Sequence, residues 1–126
     1  MSTQPNSCHL LLLEDEPMIL MDLEFAAEDC GCTASTATSV AQALAVLEGG
    51  TQIGAGVLDV NLGGGETCLP VARELQKRGI PYILHSGDLD RQNETVRQLG
   101  AKLIPKPANA NHVIRTAIGY AGSVCE

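Results

Sequence analysis

The chain has 126 residues, 44% hydrophobic and only 2% aromatic, with eight Lys and Arg against fifteen Asp and Glu for a net charge of −7. The charge is unevenly placed: no base precedes Arg73, residues 1–72 carry ten acids and stand at −10, and residues 73–126 stand at +3. The length suits one domain with a real core. An acidic chain with no basic run and almost no aromatics argues against direct nucleic-acid binding. No apolar run approaches the roughly 18 residues needed to insert into a membrane, and Met1–Ser7 lacks the positive region of a secretory signal. The expected compartment is the cytoplasm. Five cysteines (Cys8, Cys30, Cys32, Cys68, Cys125) are an odd set without framework spacing, so they read as reduced thiols packed as small hydrophobes.

Residues 1–8 read as a polar tail. His9–Leu13 is an apolar run stopped by Glu14-Asp15-Glu16, the pattern of a buried parallel strand at its carboxyl end. Pro17 suits the first turn of a helix in which Ile19, Leu23, Ala26, Ala27 and Cys30 recur at helical spacing, with Gly31 as its stop. Met18, Met21 and Phe25 lie on one edge of that helix and read as core rim. Cys32–Ala37 is a weak second strand. Ser39 caps a helix over Val40–Glu48 that ends at Gly49-Gly50.

Ala55–Leu58 is a third short strand that again ends on an acid, Asp59. A loop over Val60–Glu66 holds Gly63-Gly64-Gly65, with no Gly-Lys-Ser/Thr to make it a phosphate loop. Thr67 caps a helix reaching Arg78, stopped by Gly79. Tyr82–His85 is a fourth strand entered through Pro81, followed by Ser86-Gly87-Asp88. Leu89–Leu99 is a polar helix with few apolar positions. Ala101–Ile104 is a fifth strand broken by Pro105-Lys106-Pro107, and Val113, Ile114, Ala117, Ile118 and Ala121 give the last helix its buried stripe. The isolated His9, His85 and His112 read as structural or surface residues. The domain is expected to span residues 9–122, with a second tail at 123–126.

Five strands alternating with five helices imply an α/β fold, a parallel sheet between two helical layers. In such sheets ligands bind beyond the carboxyl ends of the strands. That rule selects Glu14, Asp15 and Glu16 after strand one, Asp59 and Asn61 after strand three, Ser86 after strand four and Lys106 after strand five. Converging carboxylates repel unless a cation neutralises them, and an all-oxygen set favours Mg²⁺, Ca²⁺ or Mn²⁺ over zinc. A carboxylate beside Mg²⁺ can act as a nucleophile toward phosphorus, with a hydroxyl and a lysine to hold phosphoryl oxygens. Glu16 reads instead as an ordinary acid at a helix start.

These residues resemble the response-regulator receiver domains of bacterial two-component signalling, over roughly His9 to Ala121. Leu11-Leu12-Leu13-Glu14-Asp15-Glu16-Pro17 matches the acidic signature after strand one, and Val57-Leu58-Asp59-Val60-Asn61 matches the phosphoacceptor segment. Ser86-Gly87 and Lys106-Pro107 match the Ser/Thr–small and Lys-Pro pairs. Each motif alone is common; all four in order, each at a strand end, are specific. The resemblance implies a (βα)5 flavodoxin-like sandwich with strand order 2-1-3-4-5. It implies a stand-alone phosphoprotein of a phosphorelay that accepts phosphate from a histidine kinase or histidine phosphotransfer protein and signals to an output protein by contact. Its catalysis would be autocatalytic phosphoryl transfer and autodephosphorylation, not conventional enzymology.

By the resemblance Asp59 is the phosphoacceptor, and Asp15, Glu14, Asp59 and the Asn61 backbone carbonyl serve Mg²⁺, with Mn²⁺ as a substitute. Glu14 stands where Asp is commoner and would act mainly through water. Ser86 and Lys106 hold the phosphoryl group. Departures from the pattern are Leu103 at the usual aromatic switch position and Leu62-Gly63-Gly64-Gly65 in place of the usual Met-Pro and later Gly. Pro81-Tyr82-Ile83-Leu84-His85-Ser86-Gly87 partly matches a Pro-Phe-x-Phe-x-Thr-Gly-Tyr segment of mostly single-domain receivers, with Asp88 in place of its Tyr. Competing readings are a degenerate receiver used only for interaction and an aspartate-nucleophile phosphatase, which would need an acid where Asn61 stands. A flavin carrier is also possible on fold, but with one Phe, two Tyr and no Trp few aromatics are available to sandwich a flavin.

Overall fold

The computed structural model describes residues 8–87 and 94–121, apart from the side chains of Glu94, Thr95 and Ala121. Five parallel strands run β1 (His9–Leu13), β2 (Thr33–Ala37), β3 (Ala55–Leu58), β4 (Tyr82–Ser86) and β5 (Leu103–Pro105), in the order β2-β1-β3-β4-β5. Between and after them lie α1 (Pro17–Asp29), α2 (Val40–Glu48), α3 (Leu69–Lys77), α4 (Glu94–Leu99) and α5 (Ala110–Ala121). The start of the expected helix at Leu89 and most of both expected tails lie outside the described residues.

Strand alternation divides the core. Leu10 and Leu12 of β1, Val57 of β3 and Ile83 of β4 pack with Leu23, Ala26 and Ala27 of α1 and Val113, Ile114 and Ala117 of α5. Leu11, Leu13, Leu58 and Leu84 face the other way, onto Ala43 and Leu47 of α2 and Val71, Ala72 and Leu75 of α3. A central strand such as β1 is therefore apolar on both faces, which is why it reads as an unbroken run. Among the described residues no helix is long and apolar enough to cross a membrane.

The helix ends follow local chemistry. Ser39 Oγ accepts the Gln42 N–H at 3.2 Å, the expected cap of α2. Gly31 takes φ +80° just after α1, a conformation costly for any side chain. At α5 the Asn109 carboxamide accepts the N–H of Asn111 at 2.8 Å and of His112 at 3.3 Å.

Three expectations need correction. Thr67 does not cap α3: its backbone bridges Asn61, the helix begins at Leu69, and Thr67 Oγ1 takes only the Leu69 N–H at 3.3 Å. β5 lies later than expected, running to Pro105, because it is an edge strand set by pairing with β4 (Leu84↔Leu103, Ser86↔Pro105), and an edge tolerates proline. Met18, Met21 and Phe25 are exposed, since the buried stripe of α1 is Leu23, Ala26 and Ala27 and their edge lies around the helix from it.

The cysteines also depart from expectation. Cys8 and Cys32 form a disulfide, while Cys30 and Cys68 do not. The parallel register that pairs His9 with Thr33 sets Cys8 opposite Cys32, with Cα atoms 4.7 Å apart, inside the range a disulfide spans. Closing a loop with a sequence separation of 24 is worth roughly 3 kcal/mol by the chain-entropy argument. Excess reductant should lower the urea midpoint of the wild-type protein and leave that of Cys8→Ser unchanged; a reductant-insensitive wild type would show that the bridge does not form.

Candidate phosphoryl-transfer site

The carboxyl ends of β1, β3, β4 and β5 meet at one rim. Glu14 immediately follows β1, and its backbone N–H donates to Ala37 O of β2 at 3.0 Å. Asp59 follows β3 and is held by its own N–H donating to Leu13 O at 2.8 Å. The order β2-β1-β3 makes β1 and β3 neighbours, so the two acids come together although 45 residues apart in the chain. Glu14, Asp15 and Asp59 each offer an oxygen within 4.8 Å of the others. Glu14 and Asp59 are buried, and Asp15 stands at the surface.

Two groups from the basic half of the chain face these acids. Ser86, the last residue of β4, donates its hydroxyl to Asp59 Oδ1 at 3.2 Å. Lys106 Nζ lies 3.1 Å from the Glu14 carboxylate and 3.5 Å from Asp59 Oδ2. Its loop is tied to β4 by the Lys106 N–H donating to Ser86 O at 2.7 Å, and prolines flank it on both sides. Asn61 is exposed, and the isolated bridge to Thr67 closes the glycine loop. Within it Gly63 lies beside Asp15 and has φ +87°, a conformation that favours glycine. Glu16 lies outside the acid cluster, exposed at the start of α1.

The electrostatics are those of an under-neutralised acid cluster. Burial, and then the neighbouring Glu14 charge, push the Asp59 carboxyl up to about 8. Burial also raises Glu14, against the pull of Lys106. For Lys106 burial works to lower the pKa, but the Asp59 and Glu14 charges outweigh it, so its pKa rises and it stays protonated. Glu14 Oε1 is buried and receives no aligned hydrogen bond among the described residues. One lysine thus serves two buried carboxylates, with a third acid beside them. Such a hard-oxygen set suits a divalent cation of the Mg²⁺ type.

No protein-family model and no curated protein matches the chain. Solved structures do. The solution structure of SdrG from Sphingomonas melonis Fr1 is 36% identical, with a TM-score of 0.76, over 93% of this chain and 98% of that one. A response regulator receiver protein from Burkholderia phymatum superposes with a TM-score of 0.80 at 24% identity, covering 94% of this chain and 98% of that one. One from Sinorhizobium medicae WSM419 reaches 0.79 at 23% identity, covering 98% of this chain and all of its own. Strand order and likeness together define a flavodoxin-like α/β domain of the receiver class. The chain belongs to the response-regulator receiver family.

The strand-end rule found the residues that meet here, Glu14, Asp15, Asp59, Ser86 and Lys106. Of the structural and surface places left open for His85, the structure takes the first: it is buried at the end of β4. Strand parity was the available signal, because His85 shares a face with the core residue Ile83.

Proposed function

We propose that Asp59 accepts a phosphoryl group from the phosphohistidine of a histidine kinase or histidine phosphotransfer protein, and that the modified domain signals through contacts with an output protein. The observation that carries this reading is the pairing of both Asp59 oxygens, one with Ser86 and one with Lys106, beside two further acids. An Asp59 oxygen forms the new O–P bond as the P–N bond to histidine breaks, and the imidazole leaves with a proton. Glu14, Asp15, Asp59 and the Asn61 carbonyl are the groups to hold Mg²⁺, or Mn²⁺ in its place, which when bound supplies charge neutralisation for the phosphoryl oxygens. The Ser86 hydroxyl turns from Asp59 Oδ1 to a phosphoryl oxygen. The Lys106 ammonium answers the phosphoryl charge while keeping its hold on the rim. Positioning and neutralisation are most of what such a transfer requires of a protein. Asn61, an amide, offers no second acid for a phosphatase cycle.

Incubation with a small phosphodonor and Mg²⁺ should add one phosphoryl group to the intact mass. The adduct should be acid-labile and hydroxylamine-sensitive, and absent from Asp59→Asn. Labelling that survives Asp59→Asn would overturn the assignment. Ser86→Ala removes a hydrogen bond to a charged group, worth about 1.5–3 kcal/mol, so its phosphorylation rate should fall roughly ten- to a hundredfold. A rate within twofold of wild type would remove Ser86 from the site.

A further inference from the structure

Cys8, Cys30 and Cys32 meet at a corner of the domain that the phosphoryl chemistry does not use. Cys8 and Cys32 are bridged, only 7% and 3% exposed, and belong to the apolar cluster that joins the sheet to α1 and α5. Cys30 packs against the same cluster but is only half-buried, at the end of α1. A disulfide opens when a thiolate reaches one of its sulfurs, so access governs the rate. A thiol arriving from solution meets Cys30 before it meets either sulfur of the bridge.

The turn between Cys30 and Cys32 sets their spacing. The Cys32 N–H donates to Ala27 O at 2.8 Å and the Gly31 N–H to Glu28 O at 2.9 Å, the two bonds of a Schellman helix end. Gly31 stands between the cysteines with φ +80°, in the left-handed conformation that this motif requires. A left-handed helical residue mirrors a right-handed one, so the Cα atoms on either side of it lie about 5.4 Å apart, as across any two helical steps. That is inside the range of roughly 4.4–6.8 Å that a disulfide spans. The 4.7 Å between the Cα atoms of Cys8 and Cys32 is inside it too. Cys32 is thus within bridging distance of two cysteines, one buried and one half-buried. Gly31 is exposed and a Cβ on it would meet nothing within 4 Å, so the turn is open to solvent beside Cys30.

We propose that Cys30 is a thiol-modification site, through which a small thiol of the glutathione class exchanges with the buried Cys8–Cys32 bridge. The Cys30 thiolate attacks Cys32 Sγ; the Cys30–Cys32 bond forms as the Cys8–Cys32 bond breaks, and Cys8 leaves as a thiolate that takes up the proton Cys30 gave up. An external thiolate then attacks Cys30 Sγ, releasing the Cys32 thiolate and remaining on Cys30 as a mixed disulfide. A second external thiol removes it, so that two external thiols become one disulfide and the bridge becomes two thiols. Oxidation by the external disulfide runs the same steps backward. The first step is intramolecular and needs no opening of the apolar cluster to solvent.

The test is reduction of the oxidised full chain by glutathione in native buffer, quenched at intervals with a maleimide and mapped by peptide mass and fragmentation. Cleavage after Glu14 and Glu28 parts Cys8 from the other two cysteines. In wild type the glutathione adduct should appear on Cys30, and Cys30→Ser should slow loss of the bridge by at least about tenfold. A purely structural role for Cys30 would act in the opposite sense, since a loosened helix end would expose the bridge and speed its reduction. Cys125→Ser should leave the rate unchanged. The wild-type adduct map keeps the test if Cys30→Ser does not fold. An adduct that appears on Cys8 or Cys32 and not on Cys30, equal or faster reduction of Cys30→Ser, equal slowing by Cys125→Ser, or an oxidised wild type without the bridge would each overturn the proposal. Neither phosphodonor nor divalent cation is present, so its failure and that of the phosphoacceptor reading are distinguishable.

Discussion

Lys106→Ala is expected to destabilise the metal-free protein by about 3 kcal/mol at pH 8 and to slow phosphorylation by roughly two orders of magnitude. Glu14 and Asp59 keep only 1% and 5% of their side-chain surface exposed, and the Lys106 ammonium lies within 3.5 Å of both. Breaking a buried pair by removing one partner typically costs about 3–5 kcal/mol, because the charge left behind is desolvated and unpaired. Here two carboxylates are left behind, but either can take up a proton, which argues for the lower end of that range. The sign of the pH dependence follows from which group titrates. The Lys106 pKa is raised, so its contribution is complete below the ordinary lysine value and is lost only as pH rises through the higher folded one. Between pH 5 and 8 the lysine stays charged and only the carboxylates change state. The loss on Lys106→Ala should therefore shrink at pH 5, where the cluster holds its proton, and grow toward pH 8. Urea midpoints at the two pH values check this, with Lys106→Met to separate lost charge from lost volume. A variant as stable as wild type at pH 8 would mean that the ion pairs contribute nothing.

Much of this site is legible in the sequence because each residue stands at a place where chain chemistry changes abruptly. β1 and β3 are apolar on both faces and end at an acid, so both the buried strands and the exit points into the rim can be read from Leu13-Glu14 and Leu58-Asp59. Ser39 and Gly49-Gly50 bracket α2 in the same way. β5 is less legible: a three-residue edge strand has too little pattern, and its position is set by hydrogen bonds to β4. The Cys8–Cys32 bridge cannot be read locally at all. It depends on β1 and β2 pairing in parallel with His9 opposite Thr33, a property of tertiary register rather than of spacing. His85 shows a third limit: a histidine in a strand pattern reads as polar, and only the α1 and α5 cover on that face makes it an interior group. The early excess of acid and later excess of base acquire a structural meaning in the same way. The parallel crossovers bring Glu14, Asp15 and Asp59 from the acidic half to face Ser86 and Lys106 from the basic half.

Asp59→Asn should stabilise the metal-free protein while abolishing its phosphorylation, and the stabilisation should increase with pH. The Asp59 carboxyl is pushed from 3.8 to about 8, by burial first and the Glu14 charge second. A raised acid pKa means that the folded state holds a proton the unfolded state has released. Stability therefore falls as pH rises from about 4 to about 8, the reverse of the usual salt-bridged carboxylate. At about 1.4 kcal/mol per pKa unit, that displacement is worth at most about 6 kcal/mol. Lys106 and exchange of charge with Glu14 absorb part of it, so a gain of about 2 kcal/mol for Asp59→Asn at pH 8 is the expected size. At pH 4 the two proteins should be nearly equal, since Asp59 is then protonated when folded and partly protonated when unfolded. Mg²⁺ should act in the opposite sense on wild type, binding more tightly as pH rises because the ligands must be ionised, and adding about 2.7 kcal/mol at a hundred times its dissociation constant. Thermal unfolding from pH 5 to 8, with and without Mg²⁺, reads both effects in one experiment. Wild type should lose stability with rising pH in chelator and recover it in Mg²⁺, whereas Asp59→Asn should be flatter in chelator and gain less from the metal. Parallel pH profiles for the two proteins would show that Asp59 is not the group holding the proton. The same buried carboxylate would thus cost the resting domain stability and supply the nucleophile once its charge is answered.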